Sequence, residues 1–286
     1  MKIGMLTGLW HIAESATVIQ GLRRVAALGF HYVDLHGVFH AGPAHLDADG
    51  CRAVKVEMET LGLAPRNYVL HPPCNLASAT EVELEQAYAY LAQGIEMATA
   101  WGTRQLMLNA GQWDSMVSRD TAWNKAVLFL QRVCDHAVRR DLLIVIEPEP
   151  YVWFLVNDID STIRMRADVN RPNFAVLVDM GHMGLARESP DELARLGDSI
   201  VHAHFSDHEA YRHTNQVIGT GVTRTGGYLE KLRALDIDRQ LQRFGFDELV
   251  VSFELGVPGD KIDDPDEWVR RSLQYVRQVA PYMNWV

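Results

Sequence analysis

The sequence predicts a single (β/α)8 barrel that spans residues 1–286. Eight short apolar runs recur along the chain, and a segment with helical periodicity separates each run from the next. The runs follow one another at intervals of roughly 25 to 45 residues, as βα units do. No run is followed by GxGxxG or GxxxxGK[ST], the phosphate-binding motifs typical of open nucleotide-binding sheets. We therefore prefer the barrel to a doubly wound open sheet, which is the alternative.

The eight predicted strands are, in order, IGMLTG, HYVDLHG, APRNYVL, TRQLMLNAG, LLIVIE, FAVLVD, SIVHAHFSD and DELVVSFE. The segments between them and the C-terminal DPDEWVRRSLQYVRQVA supply eight helices, and the helix after the sixth strand is short. Several helices are expected to end at a glycine with a left-handed conformation, namely Gly29, Gly62, Gly102, Gly197 and Gly245. Each of these glycines marks the point where a helix gives way to the next strand.

Composition excludes several classes of protein. The net charge is -10 and the charges are mixed along the chain, so no basic surface is predicted and nucleic acid is not expected as a partner. No apolar run approaches about 18 residues, and the N-terminal run is too short for a signal peptide, so we expect a cytoplasmic protein without a membrane partner. Three widely spaced cysteines indicate neither a disulfide framework nor a thiolate zinc site.

Polar residues collect where the predicted strands end. They are Asp34, His36, His71, Asn109, Glu147, Glu149, Asp179, His182, His202, His204, Asp207 and Glu254. The starts of the same strands carry no comparable set of histidines and carboxylates. Because barrel enzymes build their sites at the carboxyl ends of the strands, the sequence predicts a site at that end.

Four of these residues are typical of a metal site. Glu147, Asp179, His204 and Glu254 come from four successive strands and can converge on one point. Three carboxylates and one imidazole suit one manganese ion best, with magnesium or cobalt as alternatives, rather than a closed zinc site. Without a cation, three carboxylates in one cavity of low dielectric constant would repel one another.

The stretch EPEP predicts different positions for its two glutamates. Residues two apart on a strand share a face, so Glu147 and Glu149 would both look into the barrel mouth if the strand continued. Pro148 and Pro150 oppose that continuation, because proline has no N–H for the sheet and restricts the residue before it. We expect Glu147 on the metal and Glu149 farther up the wall, within reach of a substrate or a loop partner but outside the metal's ligand set.

Together the motifs IVIEP, VLVDMGHMG, VHAHFSD followed by GTG, and VVSFEL resemble the xylose isomerase-like superfamily of metal-dependent barrels. Its members include ketose 3-epimerases, hydroxypyruvate and inosose isomerases, inosose dehydratases and endonuclease IV. The resemblance covers nearly the whole chain and implies that Glu147 and Glu254 are metal ligands that also act as the acid/base pair. It implies that Asp179 and His204 are the remaining ligands.

The same resemblance implies substrate-binding residues. His182 matches a histidine that binds a substrate oxygen in the epimerases. Arg212 matches an arginine after the strand-seven histidine, although the gap is two residues longer here. Apart from the resemblance, Trp113 follows the fourth strand and is an aromatic residue that could stack on the apolar face of a sugar or pack under a loop. Relatives are often dimers or tetramers, so we expect a homo-oligomer.

Such a site predicts a metal-dependent isomerase or epimerase of a keto-sugar or related polyol. The cation would stabilise an enediolate while one glutamate removes the α-proton and the other returns a proton. Return on the opposite face gives epimerisation, and return at the adjacent carbon gives isomerisation. The alternative is a lyase, either an inosose-type dehydratase or a C-glycoside deglycosylase subunit.

Two further classes are less favoured. A DNA-repair nuclease of the endonuclease IV type is suggested by RHTNQVIGTG with His213. Asn109 and Tyr211 stand where those nucleases carry a histidine and an aspartate ligand, and the chain is acidic. A non-catalytic barrel has no physical need for three carboxylates around one point.

Overall fold

The computed structural model describes residues 1–283, in which eight parallel strands close into a barrel in sequence order. The strands are β1 Lys2–Leu6, β2 Tyr32–His36, β3 Ala64–Val69, β4 Gln105–Leu108, β5 Leu143–Ile146, β6 Phe174–Asp179, β7 Ile200–Phe205 and β8 Val250–Phe253. β1 pairs with β8 and closes the barrel. The predicted fold class and all eight strands are therefore confirmed.

Helices surround the strands. They are α1 Gly8–Glu14, α2 Val18–Ala27, α3 Ala48–Leu61, α4 Glu81–Trp101, α5 Arg119–Ala137, α6 Ile159–Val169, α7 Met180–Leu185, α8 Thr225–Ala234, α9 Ile237–Leu241 and α10 Pro265–Val279. Capping boxes begin α2, α4 and α6, because Thr17, Thr80 and Asp158 each accept the backbone N–H three residues later. The helix after β6 is short, as predicted. Within residues 1–283, no helix combines the length and the apolar character needed to cross a bilayer.

The glycine predictions hold at most positions. Gly62, Gly102 and Gly245 adopt the left-handed conformation directly after a helical segment, and Gly29 has φ 87°. The prediction for Gly197 is wrong, because φ 55° and ψ -131° lie outside the left-handed helical region. That backbone conformation kinks the chain just before β7 and is sterically open to glycine.

Strand register brings the ends of β5 to β8 to a common level. Asp179, the last residue of β6, pairs with His204 of β7, and His204 pairs with Ser252 of β8. Glu147 and Glu254 each follow the last residue of a strand, and their backbone N–H groups still donate to the neighbouring strand. Four side chains from neighbouring strands therefore start at nearly the same height above the barrel.

Candidate metal centre

Glu147, Asp179, His204 and Glu254 form a compact cluster at the carboxyl end of the barrel. One ligand atom from each residue lies within 4.8 Å of the corresponding atoms of the others. The first three side chains are buried, and the Glu254 side chain is 19% exposed. The four residues that the sequence selected thus lie together, and Glu254 is the one among them that solvent reaches.

Each of the four side chains has one buried atom with no hydrogen-bond partner. These atoms are Glu147 Oε1, Asp179 Oδ2, His204 Nδ1 and Glu254 Oε2. His204 Nδ1 lies 2.7 Å from Glu254 Oε2 and 3.5 Å from Glu147 Oε1, yet none of these contacts has the geometry of a hydrogen bond. Buried polar atoms normally have a partner. Four residues that each carry such an atom and lie in one compact cluster therefore fit a shared cation.

For three of the ligands, the second polar atom is held by the protein. Asp179 Oδ1 accepts the backbone N–H of His182 at 2.7 Å and the hydroxyl of Ser206. Glu254 Oε1 accepts the side-chain amide of Asn215 at 3.1 Å. His204 Nε2 lies 3.3 Å from Asp34 Oδ2. Hydrogen bonds of this kind orient metal ligands and fix the tautomer of a ligating histidine.

The pKa values in the cluster show that it attracts positive charge. Burial raises the pKa of Glu147 to about 7 and raises the pKa of Asp179. Burial also opposes ionisation of Glu254, but His204 and His182 hold its pKa well below its usual range. The pKa of His204 is raised despite burial, through Asp34, Glu147 and Glu254. A bound divalent cation would supply the charge that these carboxylates require.

Glu149 lies outside the four-residue cluster. β5 ends at Ile146, and the Glu149 N–H donates to the Val156 carbonyl at 3.1 Å, so the chain has left the barrel wall. Burial raises the pKa of Glu149, and a hydrogen bond from the Asn109 side chain opposes that rise. The charges of His182 and Glu254 also affect this pKa, which places Glu149 near the cluster.

His182 lies beside the cluster with both ring nitrogens engaged. Nδ1 is 3.1 Å from the Pro148 carbonyl, and Nε2 is 2.7 Å from Nε2 of His213. Burial opposes a charge on His182, but Asp179, Glu147 and Glu149 raise its pKa to about 9. A substrate oxygen can reach Nε2 of His182 only if His213 gives way.

The structure does not bring Arg212 or Trp113 into the cluster. The Arg212 side chain is 65% exposed and lies 3.7 Å from Glu209. The half-buried Trp113 donates its indole N–H to the Val117 carbonyl at 2.8 Å, which holds the ring against its own loop. Both placements follow from loop conformations, which strand periodicity does not predict.

The GTG loop serves a structural purpose. The N–H groups of Gly219 and Gly221 each donate to Asp207 Oδ2 at 2.8 Å. Oδ1 of the same carboxylate accepts the N–H groups of His208 at 3.0 Å and Thr223 at 2.9 Å. These amides already bind a carboxylate of the chain, so they form no phosphate cradle in this conformation.

Sequence reasoning missed Ser206, His208 and Asn215, and gave Asp34 no role. Asp34 Oδ2 lies between the Nε2 atoms of His202, at 2.7 Å, and His204. The available signal was the polar sequence HFSDH, which continues past the last ligand of β7. A second group of imidazoles, His182, His208 and His213, also lies close enough together to hold an ion.

Comparisons with known proteins agree with this fold. A family model described as xylose isomerase-like TIM barrel matches residues 22–279. The chain therefore belongs to the xylose isomerase-like TIM barrel family. A comparison with curated proteins gave no match.

Several solved structures share the fold at low identity. The IolI protein with a bound zinc atom gives a TM-score of 0.80 at 15% identity, with 99% of each chain covered. D-psicose 3-epimerase from Clostridium cellulolyticum H10, solved with D-tagatose, gives 0.77 at 17% identity, with 98% of this chain and 99% of that chain covered. The 3-keto-D-glucoside 4-epimerase YcjR from E. coli gives 0.75 at 17% identity, with 97% and 99% covered.

Proposed function

We propose that the protein is a divalent-metal-dependent isomerase or epimerase of a keto-sugar or related polyol. The observation that carries the proposal is the convergence of four buried ligand atoms, each without a hydrogen-bond partner, from Glu147, Asp179, His204 and Glu254. A site built only for stability would pair these atoms with protein groups. The family and the three structural relatives, two of them named as epimerases of sugars, support the same chemistry.

The four ligands would hold one cation and leave positions open for substrate. Their mostly oxygen set favours Mn²⁺, and Mg²⁺ or Co²⁺ also suit it. The zinc reported for the IolI protein shows that a borderline ion also binds on this fold. The cation would polarise the substrate carbonyl and stabilise negative charge on its oxygen.

Glu147 and Glu254 would then move the proton. Glu147 is buried, so its carboxylate is shielded from water and can exchange a proton directly with a bound substrate. Glu254 comes from a strand three positions further round the barrel, so it can approach the substrate from another side. Removal of the α-proton by one glutamate and return by the other, through an enediolate, gives the epimer or the isomer. Glu149 would bind a substrate hydroxyl from above.

The proposal is tested by metal content and proton exchange. Purified protein should contain about one divalent cation per chain, and Mn²⁺ at 100 times its Kd should stabilise the chelator-treated protein by about 2.7 kcal/mol. Incubation of the Mn²⁺ form with unphosphorylated D-fructose, D-tagatose and D-psicose in D₂O should introduce deuterium beside the carbonyl of at least one sugar. NMR detects the exchange. Absence of metal, of stabilisation by Mn²⁺ and of exchange would overturn the proposal.

A further inference from the structure

His208 connects two of the metal-ligand carboxylates, although it contacts neither. Its Nδ1 atom accepts two backbone N–H groups, from Thr214 at 3.0 Å and from Asn215 at 3.2 Å. An atom that accepts two N–H groups carries no proton, so the proton of the neutral ring is on Nε2. Nε2 lies 3.0 Å from Ser206 Oγ. His208 therefore donates to Ser206.

The first connection runs from His208 through Ser206 to Asp179. Since Ser206 Oγ accepts the His208 proton, its own hydroxyl proton is free to donate to Asp179 Oδ1. Oδ1 also accepts the N–H of His182, so this oxygen has two donors, whereas Oδ2 has none. The hydrogen bonds therefore select which oxygen of Asp179 faces the cluster.

The second connection runs through Asn215 to Glu254. The Asn215 backbone N–H binds His208, and its side-chain amide binds Glu254 Oε1. Asn215 has φ 40°, and its carbonyl accepts the Gly256 N–H at 2.7 Å, so backbone contacts hold the residue at both ends. Glu254 Oε2 is left without a hydrogen-bond partner, as Asp179 Oδ2 is.

Gly181 leaves the room that this arrangement needs. A Cβ atom at position 181 would lie 2.2 Å from Ser206 Oγ and 2.4 Å from His208 Nε2. No side chain fits there without displacing the Ser206–His208 hydrogen bond. The contact thus accounts for a glycine two residues after the ligand Asp179.

We infer that His208 is a positioning residue that holds Asp179 through Ser206, and Glu254 through Asn215, with one oxygen of each directed at the cation. The inference rests on the proposed metal site. It assigns His208 to ligand orientation rather than to metal binding, because both of its ring nitrogens are already used within the protein. The His182, His208 and His213 group is accordingly no second metal site in this conformation.

The test is the Kd for Mn²⁺, measured from the electron paramagnetic resonance signal of free Mn²⁺ with the full-length protein. Ser206→Ala and His208→Gln should each raise Kd by about 10- to 100-fold, the effect typical of groups that orient ligands. Ser206→Thr keeps the hydroxyl and should restore binding. Gly181→Ala should weaken binding although it removes no polar group. The double variant Ser206→Ala/His208→Gln should raise Kd by less than the product of the two single increases, because both changes break the same connection.

Two variants serve as matched controls. Ser199→Ala removes a buried hydroxyl that donates to Leu196 just before β7, at the opposite end of the barrel. His40→Gln alters a buried histidine that lies 3.0 Å from Thr7 and 3.2 Å from the Ala16 carbonyl. Both should bind Mn²⁺ as the unchanged chain does. If either Ser206→Ala or His208→Gln binds Mn²⁺ as the unchanged chain does, the positioning role is overturned and the proposed function stands. If the unchanged chain binds none of Mn²⁺, Mg²⁺ and Co²⁺ and exchanges no proton of the sugars, both are overturned.

Discussion

Two neighbouring buried sites at the carboxyl end of the barrel differ in how completely protein hydrogen bonds satisfy their carboxylates. Asp207 accepts four backbone N–H groups, two on each oxygen. Three residues earlier, His204 belongs to a cluster in which every ligand has one atom without a hydrogen-bond partner. The comparison teaches that burial alone does not mark a functional carboxylate. A saturated carboxylate organises a loop, and one with an unpaired oxygen is available to a cation.

The largest effect is expected for a variant that removes a ligand from the four-residue cluster. Glu147→Gln removes a charged ligand and the proposed base, so the rate of solvent deuterium exchange should fall by about 10²- to 10⁴-fold. NMR of the sugar in D₂O measures this rate. The matched control is Glu149→Gln, the same change two residues later. Equal exchange by Glu147→Gln and the unchanged chain would require another base.

Stability in chelator should separate the two kinds of carboxylate. Asp207→Asn replaces one carboxylate oxygen with an amide NH₂ group, which would face two backbone N–H donors without an acceptor. The free energy of unfolding should therefore fall by about 2 to 6 kcal/mol. Asp179→Asn removes a buried charge from beside two other carboxylates and should cost little or even stabilise. Urea denaturation in chelator measures both. A larger loss for Asp179→Asn than for Asp207→Asn would contradict the comparison.

A smaller effect is expected at the edge of the cluster. Glu149→Gln keeps the four ligands and should raise the substrate KM by about tenfold, the value of one lost hydrogen bond to a charged group. Its Kd for Mn²⁺ should match that of the unchanged chain. Loss of the metal in Glu149→Gln would place this glutamate among the ligands and reverse the assignment of the EPEP pair.

The smallest effect is expected at Arg212. Its side chain is 65% exposed and meets only an exposed partner, Glu209, among the contacts found within residues 1–283. Exposed ion pairs contribute about 0 to 1 kcal/mol, so Arg212→Ala should leave stability and Mn²⁺ affinity nearly unchanged. If steady-state kinetics show a large rise in KM for this variant, Arg212 binds the substrate, which is the role that the family resemblance implies for it.

Much of the site follows from the sequence because a barrel imposes simple rules. Strands with a fixed direction place their last residues at one end, so Glu147, Asp179, His204 and Glu254 could be selected before any coordinates. The prolines of EPEP likewise predicted that the strand stops before Glu149, and β5 ends at Ile146. These predictions rest on local backbone geometry, which the order of residues along the chain determines directly.

The sequence by itself determined the barrel, its eight strands and the level of the four ligand residues. Only the tertiary structure decided which atom of each ligand is left without a partner. For Asp179, Glu254 and His204, that choice depends on hydrogen bonds with Ser206, Asn215 and Asp34 respectively, which come from other segments of the chain. Ser206 and Asn215 lie in the segment after β7, and the conformation of such a loop depends on packing between segments rather than on periodicity. The exposed position of Arg212 was decided in the same way, because periodic patterns fix strand ends but not the path of the chain beyond them.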